Sequence, residues 1–159
     1  MDVLTTAAVA LIPGQAGVVS TVRVLIADDH PQMLAAMVHV VESDGRFTLV
    51  GTAANGPDAL RLAQEFPVDV ALLDVRMPGG GPEAVTAFHA MDPAPAVVAV
   101  SAETSMSTVA AMVRAGAVGY LAKGRIGESL PDVLAQCAAG EVVLATGSGA
   151  GAMRMLLGA

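Results

Sequence analysis

The sequence predicts an α/β protein with a doubly wound, five-stranded parallel sheet, and three observations support this fold class. Hydrophobic residues make up 54% and charged residues only 14% of the 159 residues, so most of the chain is expected to fold around a core. From Val22 onward, short apolar runs alternate with longer stretches of helical period, as in repeated βα units. The run from Val70 to Leu73 is continuously hydrophobic, as in strands covered on both faces. Right-handed crossovers then place helices on each side of the sheet.

Five apolar runs and five stretches of helical period follow one another along the chain. The predicted strands are Val22 to Ala27, Thr48 to Ala53, Val68 to Leu73, Ala96 to Val100 and Val118 to Leu121. The predicted helices are Gln32 to Glu42, Pro57 to Glu65, Pro82 to Ala90, Ser105 to Ala115 and Ile126 to Ala139. Pro31, Pro57 and Pro82 mark helix starts, because proline is favoured in the first turn, where its missing N–H is not needed.

The length suits one domain with an extension at each end. Residues 1–21 are interpreted as an N-terminal extension, 22–140 as the domain and 141–159 as a C-terminal tail or linker. A short helix from Ala152 to Leu157 is predicted within the tail. The apolar run from Ala7 to Ile12 follows Asp2 instead of a positive region and is too short to span a bilayer. We therefore expect no membrane partner and a cytoplasmic location.

The charge pattern argues against one class of function. The formal net charge is −7, and the eight Lys and Arg residues are scattered singly, so the chain has no basic stripe for nucleic acid. Direct nucleic-acid binding by this chain is therefore not expected. Cys137, the single cysteine, cannot form an internal disulfide. Its apolar helical surroundings predict a buried core residue and a reducing compartment.

Polar residues stand where the predicted strands end. Asp28 and Asp29 follow the first strand, Asp74 the third and Ser101 the fourth, and Lys123 comes shortly after the fifth. These side chains are expected to converge, because ligands bind at the carboxyl ends of the strands in open parallel sheets. Three carboxylates in one pocket repel each other unless a cation sits among them, and oxygen ligands favour Mg²⁺. We expect Asp29 and Asp74 to ligate the ion directly and Asp28 to do so through water.

The same residues suggest phosphoryl transfer. Asp74 at a strand tip can act as a carboxylate nucleophile and form an aspartyl phosphate beside the metal. Lys123, the only lysine of the chain, can pair with phosphate oxygens, and the hydroxyl of Ser101 can donate a hydrogen bond to another. Taken singly, each residue has a simpler explanation: Asp28 and Asp29 could cap a helix, and Ser101 could cap the following loop.

An ordered set of motifs runs along the strand ends: Asp28-Asp29, Asp74 with Met77-Pro78, Ser101-Ala102, Tyr120 and Lys123. With this set, the chain from about Val22 to Gly140 resembles response-regulator receiver domains of bacterial two-component systems. The tail from Glu141 to Leu144 resembles the exit of those receivers that carry a helix-turn-helix effector. The resemblance implies a flavodoxin-like (βα)5 fold and a sensor histidine kinase that donates the phosphoryl group. It also implies that the backbone carbonyl of Arg76 is a metal ligand and that Ser101 and Tyr120 form a switch.

In that family the switch reshapes the face made by the fourth helix, the fifth strand and the fifth helix. Here this face is expected to include Met112, Val113, Ala117, Val118 and Tyr120, and part of it is expected to serve as a homodimer surface. The chain departs from the family at Gly124, where a proline often follows the lysine. The peptide bond before Gly124 is expected to be trans, because a cis bond to a residue other than proline is costly.

The main functional interpretation is a signalling module whose only chemistry is its own phosphorylation and slow dephosphorylation, and not an enzyme with a separate substrate. One alternative is the N-terminal part of a DNA-binding transcriptional regulator. A second is a degenerate receiver that acts only as a scaffold. A turnover phosphohydrolase is disfavoured, because Arg76 stands two residues after Asp74, where a second carboxylate would be needed as general acid.

Overall fold

The structure is a computed structural model that describes residues 20–146 and 149–158. The predicted N-terminal extension, including the run from Ala7 to Ile12, lies outside the described residues except at Ser20 and Thr21. Within the described ranges, a single six-stranded sheet carries helices on both of its faces. The doubly wound α/β architecture predicted from the sequence is confirmed.

Strands alternate with helices along the described chain. The strands are β1 (Val22–Ala27), β2 (Phe47–Ala53), β3 (Val70–Asp74), β4 (Ala96–Ser101), β5 (Gly119–Ala122) and β6 (Val143–Ala145). The α-helices are α1 (Pro31–Glu42), α2 (Gly56–Glu65), α3 (Pro82–His89), α4 (Met106–Ala115), α5 (Ile126–Ala138) and α6 (Gly149–Leu156). A short 3-10 turn, Lys123–Arg125, joins β5 to α5.

The six strands are all parallel and lie in the order β2-β1-β3-β4-β5-β6. The chain moves outward in one direction from β1 and in the other from β3, so the topological switch point lies between these two strands. The predicted count of five strands was one too few. The sixth strand, β6, pairs with the outer edge of β5 and sets Leu144 beside Tyr120. Only three half-buried residues form it, which is too short for a recognisable strand pattern.

Two apolar layers hold the helices against the sheet. Residues alternate along β1: Val24 and Ile26 belong to one layer, and Leu25 and Ala27 to the other. The first layer contains residues of α1 and α5: Met37, Val41, Leu130, Val133, Leu134 and Cys137. The second contains residues of α2, α3, α4 and α6: Ala59, Ala63, Val85, Phe88, Val109, Ala110, Met112 and Ala152. Each large apolar side chain buried in this way contributes about 1.5–3 kcal/mol to stability.

The helix signals read from the sequence match the observed starts. Pro31, Pro57 and Pro82 lie in the first turns of α1, α2 and α3. Asn55 caps α2, since its side-chain oxygen accepts the N–H of Asp58 at 2.8 Å. Cys137 is buried, as predicted. Among the described residues, no helix combines the length and the apolar character needed to cross a membrane.

The last described helix, α6, packs on α4. Ala152 is fully buried between them, and Leu156 packs against the same apolar layer. Gly151 allows this close approach, because a side chain there would overlap the sulfur of Met106. The helix predicted at Ala152 to Leu157 is therefore present, although it begins three residues earlier, and it is joined to the second layer of the core.

Candidate functional site

Four neighbouring strands deliver the predicted site residues to one edge of the sheet. Asp28 follows β1, Asp74 is the last residue of β3, Ser101 is the last of β4 and Lys123 comes directly after β5. Because these strands are parallel and adjacent, their carboxyl ends meet at the same edge. The structure therefore brings together residues that lie up to 95 positions apart in the sequence (123 − 28).

Three carboxylates gather at this edge. One oxygen from each of Asp28, Asp29 and Asp74 lies within 4.8 Å of the others. Asp28 and Asp74 are buried, whereas Asp29 is exposed to solvent. Hard oxygen donors at this spacing, open to water on one side, are the ligand set that Mg²⁺ prefers. The residues present thus fit a magnesium ion, with Asp29 on the open side of the pocket.

Lys123 closes the pocket from the side of β5. Its ammonium lies 3.0 Å from Oδ2 of Asp28 and 3.3 Å from Oδ1 of Asp74. Burial by itself would lower the pKa of this lysine, but the hydrogen bond to Asp28 and the negative charge of Asp74 outweigh it, so the pKa is raised. Lys123 is therefore charged and offsets part of the carboxylate repulsion.

The environment of Asp74 raises the pKa of its carboxyl group. Burial is the main cause and the charge of Asp28 the second, while the N–H of Arg76 and the ammonium of Lys123 oppose them. The N–H of Arg76 lies 3.3 Å from Oδ1 of Asp74. The carbonyl of Arg76 as a metal ligand stays a prediction. The side chain of Arg76 points to Glu103 instead, with 3.2 Å between the charged groups.

A second set of hydrogen bonds links the pocket to β5. The buried Ser101 hydroxyl accepts the N–H of Glu103 at 2.9 Å. The carbonyl of Glu103 accepts the hydroxyl of Tyr120, whose side chain is fully buried. Burial raises the pKa of Tyr120, and the nearby Ser101 hydroxyl opposes this rise. The backbone of Glu103 was missed from the sequence, since any residue has a backbone and no side-chain pattern marks such a role.

The face predicted as a homodimer surface needs a correction. Met112, Ala117 and Tyr120 are buried beneath this face and do not lie on it. All three belong to the apolar layer between the sheet and α4. In addition, β6 covers the edge of β5, and α6 covers part of α4. Val113 and Val118 are partly exposed.

The loop from β3 to α3 packs tightly beside the pocket. The N–H of Gly56 donates to the carbonyl of Pro78 at 2.8 Å, which ties this loop to the start of α2. A side chain on Gly56 would overlap the carbonyl of Gly79, and one on Gly80 would come within 2.6 Å of the carbonyl of Asp74. Gly56 and Gly80 are therefore needed for close backbone approach in the loop that follows Asp74.

The fold and the pocket together define the class of protein. A doubly wound parallel sheet with three carboxylates, a lysine and a buried hydroxyl at its carboxyl edge is the arrangement of a signal receiver domain. The chain belongs to the response regulator receiver domain family, because the model of that family matches residues 24–135. The family expected from the motifs is thereby confirmed.

Individual relatives support the same assignment. The nitrate/nitrite response regulator NarL of Escherichia coli (strain K12) is 34% identical over 122 residues, which cover 76% of this chain and 56% of NarL. The probable transcriptional regulatory protein NarL of Mycobacterium tuberculosis (strain H37Rv) is 34% identical over 125 residues, 78% of this chain and 58% of that protein. The chain therefore spans little more than half the length of these curated relatives.

A solved structure shows the same domain. The signal receiver domain of the putative response regulator NarL from Mycobacterium tuberculosis superposes with a TM-score of 0.69 at 33% sequence identity. The match covers 77% of this chain and 99% of that receiver domain. The chain thus matches a complete receiver domain of a NarL-type regulator.

Proposed function

We propose that this receiver domain accepts a phosphoryl group on Asp74 and thereby switches a protein-interaction surface. One observation carries the proposal: Lys123 contacts both Asp28 and Asp74 in a pocket that Asp29 completes. A buried carboxylate beside a cation and a metal-binding set can attack phosphorus while the developing charge is offset.

The proposed transfer forms one bond to phosphorus and breaks another. An oxygen of Asp74 attacks the phosphorus, and the bond to the donor breaks with its electron pair leaving on the donor atom. Lys123 holds one phosphate oxygen by charge, and the hydroxyl of Ser101 donates a hydrogen bond to another. Hydrolysis of the aspartyl phosphate returns Asp74 to its starting state. No separate substrate is turned over, so we propose that the domain is not an enzyme in the usual sense.

Asp28, Asp29 and Asp74 would hold Mg²⁺, with the carbonyl of Arg76 as a further ligand. The ion supplies positive charge for the incoming phosphoryl oxygens. Its binding is supported by the donor set, since three carboxylates exceed the charge that Lys123 alone can offset. Asp29, exposed at the mouth of the pocket, is suited to bind the ion on the solvent side.

The partner we propose is a sensor histidine kinase, which would supply the phosphoryl group in the cytoplasm. Family membership supports this partner. The switch would consist of Ser101 and Tyr120, which the backbone of Glu103 connects. A homodimer would have to use exposed residues of α4 and α5, because β6 and α6 cover the rest of the predicted face.

A role in transcription is the second candidate. It is favoured by the Mycobacterium tuberculosis relative, a probable transcriptional regulatory protein of which this chain matches 58%. In this case the chain would be the receiver part of a DNA-binding regulator and would not itself contact DNA. Coding sequence beyond Ala159 that encodes a helix-turn-helix domain would establish this role, and a stop codon there would rule it out.

The proposal is tested by the intact mass of the chain after exposure to a small phosphodonor such as acetyl phosphate. We expect one phosphoryl adduct in the presence of Mg²⁺, no adduct with chelator, and none on the variant Asp74→Asn. The exposed Asp132→Asn is the matched control and should be phosphorylated normally. If no adduct forms under any condition, the chain is a degenerate scaffold with the receiver fold.

A further inference from the structure

The strand β6 and the helix α6, here called the C-terminal strap, cover the outer edge of β5 and part of α4. The N–H of Val143 donates to the carbonyl of Val118 at 2.9 Å, and Leu144 lies in register with Tyr120. In α6, Ala152 is fully buried in the apolar layer that also contains Tyr120. The strap is therefore built into the core beside the buried tyrosine.

Sheet register and two hydrogen bonds connect the phosphorylation pocket to Tyr120 and so to the strap. Ser101 lies one residue beyond Val100, the β4 partner of Asp74 in the sheet register. The Ser101 hydroxyl accepts the N–H of Glu103, and the carbonyl of the same residue accepts the hydroxyl of Tyr120. A change at Ser101 thus reaches the tyrosine through one residue of backbone.

The hydrogen-bonding capacity of Ser101 indicates how a phosphoryl group on Asp74 would affect Tyr120. A hydroxyl that accepts one hydrogen bond keeps its own hydrogen available for donation. A phosphoryl oxygen on Asp74 would supply an acceptor for that hydrogen without breaking the bond to Glu103. The existing arrangement gains a bond, so Glu103 is held more firmly in the position that accepts the hydroxyl of Tyr120.

The tyrosine in turn supports the strap. Its ring belongs to the apolar layer that contains Ala152 and against which Leu144, its partner in the sheet register, packs. If the ring turned away from Glu103, these residues would lose packing and a cavity would open, which destabilises a core. The strand β6 pairs with the edge of β5 that faces away from β4. If the Tyr120 ring turned outward past that edge, it would collide with β6. The inward tyrosine and the docked strap therefore favour each other.

We infer that docking of the C-terminal strap is coupled to phosphorylation of Asp74, so that the phosphoryl group tightens the strap and the docked strap favours the phosphorylated form. The inference rests on the proposed function, because it needs Asp74 to carry a phosphoryl group. Such coupling is reciprocal by thermodynamic necessity. Release of the strap must weaken binding of a phosphoryl analogue by the same factor with which the analogue tightens the strap.

The first test uses the unmodified chain and beryllium fluoride with Mg²⁺ as the phosphoryl analogue. Binding is measured by calorimetry, and hydrogen exchange is followed at the amides of β6, α6 and α2. We expect exchange in β6 and α6 to slow by about fivefold or more on binding, the lower end of common allosteric couplings. The amides of α2 serve as the internal reference. Binding without slower exchange in the strap would overturn the coupling while leaving the proposed function intact.

The second test compares Ala152→Asp with Met153→Asp on the same helix. The first places a charge in a fully buried site, whereas Met153 is 38% exposed. Tyr120 is the single tyrosine and the chain has no tryptophan, so quenching of the intrinsic fluorescence by acrylamide reports on the solvent access of Tyr120. We expect Ala152→Asp to increase quenching and to weaken beryllium fluoride binding by about fivefold or more. Met153→Asp should change neither.

Three outcomes contradict the inference in different ways. Equal quenching in Ala152→Asp and Met153→Asp would mean that the strap does not cover Tyr120. Increased quenching with unchanged affinity would mean that strap and pocket are independent. Failure of the unmodified chain to bind beryllium fluoride would overturn the proposed function and, with it, the coupling. If Ala152→Asp unfolds the domain, the amides of α2 will lose their protection from hydrogen exchange. In that case the inference is decided by the first test, the change of exchange in β6 and α6 of the unmodified chain.

Discussion

Lys123 and Asp28 form an ion pair at the carboxyl edge of the sheet, with 3.0 Å between Nζ and Oδ2. The Asp28 side chain has no exposed surface and that of Lys123 is 18% exposed, so water does little to screen the two charges. A buried carboxylate without a cation would be costly. The lysine expected to bind phosphate therefore also stabilises the pocket before any phosphoryl group arrives.

The first prediction concerns this pair. Lys123→Gln leaves Asp28 and Asp74 without their cation and should lower the free energy of unfolding by up to about 3 kcal/mol, because one partner of a buried pair is removed. Lys123→Arg keeps the charge and should lose less. Urea unfolding at pH 7 in the presence of chelator measures both. Equal midpoints for Lys123→Gln and the unmodified chain would contradict the prediction.

The second prediction concerns Mg²⁺. An ion that binds only the folded state stabilises it by mass action, by about 2.7 kcal/mol at a concentration one hundred times its dissociation constant. We expect Mg²⁺ to raise the melting temperature of the unmodified chain and of Glu65→Gln, an exposed carboxylate at the last residue of α2, away from the edge of the sheet that carries the pocket. Asp29→Asn should lose most of this increase. An equal increase in both variants would place the ion elsewhere.

The third prediction follows from the raised pKa of Asp74. Because the folded state raises this pKa, the contribution of Asp74 to stability is fully present below its unfolded pKa of about 3.9 and is lost as pH rises through the folded pKa. In the variant Asp74→Asn the side chain at this position does not ionise, so the variant does not lose this stability as pH rises. In chelator, the variant should therefore gain stability relative to the unmodified chain between pH 3 and pH 7, by about 1.4 kcal/mol for every pH unit that separates the folded pKa from the unfolded pKa. If the free energies of unfolding of Asp74→Asn and of the unmodified chain change with pH in the same way, the raised pKa is contradicted.

The fourth prediction concerns the hydroxyl of Tyr120. Tyr120→Phe keeps the buried ring and removes the donor to the Glu103 carbonyl, so it should cost about 1 kcal/mol of stability. Burial raises the pKa of the phenol, so ionisation followed by ultraviolet absorbance should begin above the usual value near 10. The contribution of Tyr120 to stability should be full below that pH and decline as pH rises through the folded pKa. A tyrosine that titrates at the ordinary pH would contradict its burial.

The fifth prediction compares two glycines at helix starts. A side chain at Gly56 would overlap the carbonyl of Gly79, so Gly56→Ala should destabilise the domain by about 1–3 kcal/mol, the usual cost of overpacking. Gly127 in α5 has open space around it. Gly127→Ala should therefore stabilise the domain, by up to about 1 kcal/mol, through helix propensity. Thermal melts of the two variants should shift in opposite directions.

Much of the fold and the site could be predicted from local sequence patterns. Continuous apolar runs marked the parallel strands, and prolines marked helix starts. Asp28, Asp74 and Ser101 could be placed together because side chains at the ends of parallel strands share one edge. The family followed from the order of these motifs and was confirmed by the match over residues 24–135. The roles of the individual site residues stay predictions.

Other features could not be read from local patterns. The three residues of β6 form a strand only because the open edge of β5 offers hydrogen-bonding groups to Val143. Likewise, the role of Glu103 comes from its backbone, which no side-chain pattern marks.

The sequence by itself thus determined the architecture, the boundaries of most elements and the candidate nucleophile, since these depend on periodicity and on residue type. Only the tertiary structure decided which charges pair, which face of α4 is covered and where Tyr120 points. These properties depend on distances between residues far apart in the chain, and such distances are set when the helices pack on the sheet. The pairing of Lys123 with Asp28 and the position of Leu144 beside Tyr120 are of this kind.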